Sequence, residues 1–411
     1  MLLQITTHLY RSLAIACYIF LAACGGPATS NGVVAGGVTP ELLMVDGSHV
    51  AAVRDSLRRG GPQFKGALTE LEADANRGLT VAPMSVMDKD VTPPSGDKHD
   101  YMSQAPYWWP DPSKPGGKPY IRKDGQRNPE IDKITDRANL QRLARTSFAL
   151  ALAFYFTGRQ DYARHAARLV RVWFLDPATR MNPNLNFGQG IPGIATGRAA
   201  GIVETRFLPQ IIDSVTLLQG SSAWTVSDGN GFKGWMGAYL KWLQESPLGH
   251  EEAKRRNNQE TWYELQVVAL ALYTGRDDVA WVTLQRSQAA IGKEFEPDGS
   301  QPRELARTRS WDYSIFDLTA FLHLATLGTR VGVDLWNYQA PNGGSLRKGA
   351  DYLIPFATGD KRWPYKQITP FRASELHPVL RLAAVGWKNP KYRAIAQQIG
   401  GATPILELTF P

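Results

Sequence analysis

An all-α domain of stacked helical hairpins, an (α/α) toroid or barrel, is the architecture to expect from these 411 residues. Three observations point to it. Apolar residues recur at helical spacing, as in Leu140, Leu143, Phe148, Leu152 and Tyr155. The pentad Thr157-Gly158-Arg159-Gln160-Asp161 is echoed by Thr274-Gly275-Arg276-Asp277-Asp278. Each pentad follows one Ala/Leu/Tyr-rich helix and precedes another, which is the signature of repeated helix pairs. Alternating strand patterns are weak throughout.

Taken in order, the chain opens with Arg11 as the one charge before a mostly apolar stretch that ends in Leu21-Ala22-Ala23-Cys24. A short basic start, an apolar run and a small-residue cleavage site describe a secretory signal over 1–23. Cys at the cleavage point matches a bacterial lipobox, with Cys24 lipidated and the protein exported, anchored to a membrane and facing the periplasm or cell surface. Residues 24–40, rich in Gly, Ser, Thr, Ala and Val, read as a flexible tether. The domain then covers 41–411. Val50, Val53, Leu57, Leu68 and Leu71 fall at helical spacings. Residues 82–130 carry Pro93-Pro94, Pro106-Tyr107-Trp108-Trp109-Pro110 and Pro115-Gly116-Gly117, the composition of a long ordered loop. Helices are expected over 136–156, with Gly158 as its C-cap, and over 161–174. Others fit 206–218, 232–244, 312–327, 346–355, 374–385 and 389–399. These hairpins fit a closed toroid, and the pattern alone also allows an open solenoid.

Composition narrows the function. Once the signal is removed, Cys24 is the one remaining cysteine, so no internal disulfide forms. His8, His49, His99, His165, His250, His323 and His377 are scattered, and no pair has a metal-ligand spacing. No metal or other cofactor is expected. The net charge of +8 is spread without a long basic run. That argues against a nucleic-acid partner and is compatible with an acidic, extended substrate. Membrane contact is expected through the lipid alone.

Two segments carry the chemistry. Asn257-Asn258-Gln259-Glu260-Thr261-Trp262-Tyr263 sits at a helix start, where neutral amides suit a carboxylate. Arg303-Glu304-Leu305-Ala306-Arg307-Thr308-Arg309-Ser310 leads into a helix with Asp312 and Tyr313. Read singly, they are a capped helix with core aromatics and a solvated charged loop. Together they suit β-elimination on a uronic acid. The C5 proton becomes acidic when the adjacent carboxylate is neutralised, which Asn, Gln and Arg can do. A Tyr whose pKa is lowered by nearby Arg can transfer protons.

These stretches, with Tyr101-Met102-Ser103-Gln104-Ala105-Pro106-Tyr107-Trp108-Trp109-Pro110-Asp111-Pro112 and Arg127-Asn128-Pro129-Glu130, resemble the alginate-lyase superfamily of helical-toroid polysaccharide lyases, which includes alginate and glucuronan lyases. The resemblance spans roughly 80–390. It implies that Asn258 and Arg307 neutralise the uronate and that Tyr313 is the acid, with the base role open to it as well. Arg309 is the alternative to Arg307. One position departs. The family reads Asn-Asn-His where this chain has Gln259, and Gln cannot act as a base. Either catalysis is lost or one Tyr performs both proton transfers. The second suits β-mannuronate or β-glucuronate, where the C5 proton and O4 share a face. Guluronate would need a second group.

Tyr107, Trp108 and Trp109 are candidates for stacking on sugar rings, as are Trp363 and Tyr365. Gln189 and Arg198 belong to a polar loop with the composition of a sugar cleft. Asn257 and Trp262 complete the substrate-binding candidates. Two rival functions stay open: a glycoside hydrolase using two of Glu204, Glu260, Glu304 and Asp312, and a non-catalytic glycan-binding lipoprotein.

Overall fold

The computed structural model describes residues 39–411. The signal segment, Cys24 and most of the expected tether lie outside the described residues. The domain begins with α1 (Gly47–Arg58) and α2 (Lys65–Leu79). The long loop follows, carrying β1 (Met102–Gln104), β2 (Trp108–Trp109) and β3 (Ile121–Arg122). Then come α3 (Asp136–Thr157), α4 (Gln160–Phe174), β4 (Phe187–Gly190), α5 (Leu208–Leu217), α6 (Val226–Glu245) and α7 (Pro247–Glu252). The second half holds α8 (Asn258–Thr274), α9 (Asp277–Glu294), α10 (Pro302–Leu305), α11 (Ser310–Gly328), α12 (Leu346–Ala357), α13 (His377–Gly386), α14 (Pro390–Ile399) and α15 (Pro404–Thr409). The expected helices are present, α6 starting earlier than its apolar pattern because Thr225 and Asp228 form a capping box ahead of it.

α8 and α11 are buried on almost every side. Helices apolar all round belong to the interior of a protein rather than its rim. They pack on each other, and α9 lies outside them with Trp281 and Val282 half exposed. α3 packs on α2, α4 and α5, while α13 joins α11 to α14. The two ends of the domain then meet. α15 lies against α1 and α2, the Asp46 amide donates to Thr409 O at 3.1 Å, and His49 Nε2 sits 3.0 Å from Glu407 O. Buried Asp213 accepts the Leu43 and Met44 amides at 2.6 and 2.9 Å. The result is an all-α toroid. Among the described residues, no helix is long and apolar enough to cross a membrane.

The pentad echo has a physical basis. Gly158 and Gly275 end α3 and α8 in the left-handed region, at φ 75° and 82°, where glycine carries no Cβ penalty. Arg159 then pairs with Asp161 through Nε and a terminal nitrogen, and Arg276 pairs with Asp278 the same way. The same corner is built twice.

Short strands order the long loop. β1 pairs in parallel with β4, and β2 antiparallel with β3, Trp108 opposite Arg122 and Trp109 opposite Ile121. Runs of two to four residues are too short to leave an alternating pattern, which is why sequence periodicity gave no sign of them. Three buried polar groups anchor the loop. Lys89 Nζ donates to Val86 O and Lys98 O and pairs with Asp136 Oδ2 at 3.0 Å, both side chains at 0% exposure. Asp136 Oδ2 also accepts the Met102 amide at 2.9 Å. Glu204 accepts from Tyr101 Oη at 2.8 Å and Ser103 Oγ at 2.5 Å. The inner helix α3 thereby fixes where β1 begins, and Tyr107 follows five residues later.

Breaking a buried ion pair leaves the surviving charge without compensation. Lys89→Met should therefore lower unfolding free energy by about 3–5 kcal/mol, read from the denaturant midpoint at unchanged slope. The double variant Lys89→Met/Asp136→Leu should recover part of the loss, since the Met102 amide also loses its acceptor. A single-variant loss within the error of the measurement would show that the pair does not anchor the loop.

Candidate active site

The long loop and the N-terminal end of α11 meet at one place. Tyr313, in the first turn of α11, donates its hydroxyl hydrogen to Tyr107 Oη at 3.0 Å. The Arg307 guanidinium lies on the Tyr313 ring, its Cζ 3.7 Å from the ring centroid. Arg307 is in turn held by Asp124 of the loop, through Nε to Oδ2 at 3.2 Å and a terminal nitrogen to Oδ1 at 2.8 Å. Asp124 also accepts from the Thr308 amide and hydroxyl and from Arg122. Gly125 follows at φ 72°, and a Cβ there would come within 2.4 Å of Thr308 Oγ1. Glycine is required where the loop presses on the arginine segment.

Electrostatics at Tyr313 run against the expectation from sequence. Burial, then the neighbouring Tyr107, pushes the Tyr313 phenol well above its ordinary value, and Arg307 opposes this without overcoming it. The physical reason is burial, which disfavours the charged phenolate, and Asp124 behind the guanidinium adds to it in the same direction. Burial also works to raise the Asp124 carboxyl, but Arg307 and Thr308 outweigh it and hold the group at about 2. Tyr313 is therefore a neutral hydroxyl donor in the free enzyme at neutral pH.

The α8 end of the site differs in detail from its sequence reading. Asn257 caps α8, its side chain accepting the Gln259 amide at 2.9 Å. Asn258 is only 3% exposed, and its Nδ2 donates to both Glu304 oxygens at 2.9 and 2.8 Å. Its backbone amide reaches Glu304 as well, at 2.9 Å. Asn258 is thus hydrogen-bonded to a buried carboxylate of this chain. The same Glu304 receives the Arg307 amide on its backbone oxygen at 3.1 Å, so α8, α10 and Arg307 form one unit. Gln259 is half-buried, and its side-chain amide has no hydrogen-bond partner among the described residues. It remains free to donate.

The other candidates divide. Trp108 and Trp109 are half exposed on the loop, Trp109 fixed by its indole nitrogen to Gln126 O at 2.9 Å with Lys123 Nζ over its ring. Arg309 pairs with Asp312 beside Tyr313. Arg198 is half-buried and donates to Gln189 Oε1 at 2.6 Å. Gln189 is 5% exposed at φ 52°, so its oxygen serves Arg198 rather than a sugar. Trp262 is also buried, stacked on Phe316 at 4.7 Å and donating to Phe316 O, which makes it packing rather than cleft. Trp363 donates to Ser310 Oγ at the start of α11, and Tyr365 meets Tyr352 hydroxyl to hydroxyl at 2.9 Å. Asp124 was missed by sequence reasoning. Its signal was faint: an Asp-Gly pair in a loop, reaching 183 residues ahead. Among the described residues, no group of three or more His, Cys, Asp or Glu is placed to hold a metal ion.

The alginate lyase family model matches residues 85–363, a span that contains the loop, α8 and Tyr313. The chain belongs to the alginate lyase family. It is a polysaccharide lyase. A solved alginate lyase from Bacteroides ovatus is 38% identical, with 90% of this chain and 99% of that one covered at a TM-score of 0.85. Alginate lyase A1-III in complex with a tetrasaccharide is 14% identical, with 91% and 97% covered at a TM-score of 0.58. A further structure of A1-III, from Sphingomonas species A1, is 14% identical, with 92% and 100% covered at a TM-score of 0.52. These last two likenesses concern the fold alone. No curated protein matches.

If Asn258 positions rather than binds, its loss should be felt in folding. Removing its side chain leaves a buried carboxylate with the residue's backbone amide but without the two side-chain hydrogen bonds, a deficit of about 1–3 kcal/mol. The lyase variant Asn258→Ala should lose at least that much stability in denaturant, together with activity. Activity lost at full stability would return Asn258 to direct contact with substrate.

Proposed function

We propose that this lyase cleaves a polyuronate of the alginate or glucuronan type by β-elimination, with Tyr313 as the proton-transfer residue. One observation carries the reading: a half-buried Tyr whose hydroxyl lies 3.0 Å from that of a second Tyr, with a guanidinium on its ring. The uronate carboxylate is neutralised by Arg307 and hydrogen-bonded by the Gln259 amide. With that charge offset, electron density from the breaking C5–H bond is accommodated on the carboxylate. Tyr313, as phenolate, takes the C5 proton. The electron pair forms the C4–C5 double bond, the C4–O4 bond breaks, and Tyr313 returns the proton to O4. Tyr107 donates to the phenolate while it is charged. Arg309 adds positive charge beside the pair, and Trp108 with Trp109 offer faces for flanking sugars.

The carboxylates that a hydrolase would use are already occupied. Glu204 is held by Tyr101 and Ser103, Glu304 by Asn258, and Asp312 by Arg309, Gln367 and Thr369. Glu260 accepts the Arg256 amide at 2.5 Å. This supports elimination over the two-carboxylate chemistry of hydrolysis.

Tyr313→Phe keeps the ring under Arg307 and deletes only the hydroxyl. Proton-transfer groups contribute about 100- to 10,000-fold, so kcat on alginate or glucuronan should fall by at least about 100-fold with folding intact. The near-ultraviolet absorbance of the unsaturated product reports the rate. Because the phenol is raised and its base form is the working form, wild-type kcat/KM should climb as pH rises into the alkaline range. Activity within a few-fold of wild type in Tyr313→Phe would refute the assignment.

A further inference from the structure

We propose that Asp124 is a positioning residue for the elimination: it holds Arg307 flat on the Tyr313 ring and offsets part of that guanidinium's charge until a uronate arrives. This rests on the assignment of Tyr313 and Arg307 above. Asp124 comes from the loop that carries Tyr107, and Arg307 from the turn between α10 and α11. Their contact is the point where these two elements are bridged by charge. Arg307 uses Nε and one terminal nitrogen on Asp124. Its other terminal nitrogen has no hydrogen-bond partner among the described residues. A guanidinium offers five donors in a rigid fork. Fixing one edge and one face determines where the remaining donors lie, so Asp124 sets the direction from which a carboxylate is met.

The charge argument follows from the same contacts. Arg307 and Asp124 are each 21% exposed, so water screens them only in part. The groups facing Tyr313 are Tyr107 from the loop, Arg307 on its ring, Asp124 behind that guanidinium, and Arg309 with its own partner Asp312. Those facing Asp124 are Arg307, Arg122 and Thr308. Glu304 lies on the other side of Arg307, held by Asn258. Removing the Asp124 charge would leave Arg307 unopposed over the phenol, and a nearby cation favours the phenolate. A purely structural residue would not move that balance.

The test compares kcat/KM against pH on alginate for wild type, Asp124→Asn and Asp124→Glu. Asp124→Asn keeps an oxygen for Thr308 and loses the charge. Its rising alkaline limb should move to lower pH by about one unit, while the maximal rate falls by about 10- to 100-fold as Arg307 loses its hold. Asp124→Glu restores the charge one methylene further out. Its limb should return to the wild-type position with kcat still several-fold low. An unmoved limb in Asp124→Asn, with an equal loss at every pH, would overturn the charge role. Full kcat in Asp124→Glu would overturn the geometric role, and it keeps the proposal falsifiable should Asp124→Asn not fold. Either failure is distinct from failure of the underlying assignment, which Tyr313→Phe decides on its own.

Discussion

A guanidinium held between a carboxylate and an aromatic face joins the two halves of this active site. Arg307 rests on Tyr313 and is gripped by Asp124, so the loop before α3 and the turn before α11 reach the same point. Neither segment would define the site alone. The loop supplies Tyr107 and the tryptophans, and the turn supplies the cation. Elimination needs both at once, since the carboxylate must be neutralised while the adjacent proton is removed.

Placing that guanidinium requires rigid support beneath it. The inner helices α8 and α11 provide it by packing on each other through their buried faces, and close-packed interiors deform little. Polar groups then register the loops against the helices. Lys89 and Asp136 fix the start of β1, Glu204 ties Tyr101 and Ser103, and Asn258 binds Glu304. Each such buried group has specific hydrogen-bond partners on at least one of its atoms, because an unpaired buried group is costly. The recurring theme is that side chains resembling catalytic groups often serve as fasteners one layer behind the chemistry.

That layering explains what could be read from sequence. Helices over 136–157, 160–174 and 310–328 declare themselves by periodicity, and the pentads with Gly158 and Gly275 announce repeated corners. Tyr313, Arg307 and Tyr107 stood out by residue type and motif, and the fold brings them together. The direction of the Tyr313 shift was not legible, since it is set by burial and by Tyr107, which lies far away in sequence. The burial of Asn258, Gln189 and Trp262 was not legible for a related reason. Composition gives their hydrogen-bonding capacity but not their burial, and their partners Glu304, Arg198 and Phe316 are already in hand within the fold.

The central claim is that the ionisation of one phenol, Tyr313, governs the reaction. The most direct measurement replaces that tyrosine alone with fluorinated tyrosines of progressively lower phenol pKa and records kcat/KM on a polyuronate against pH. If Tyr313 is the base, the rising limb moves to lower pH in step with the phenol of each analogue. A limb that stays in place across the series would contradict the account, and would assign the titrating base to another group.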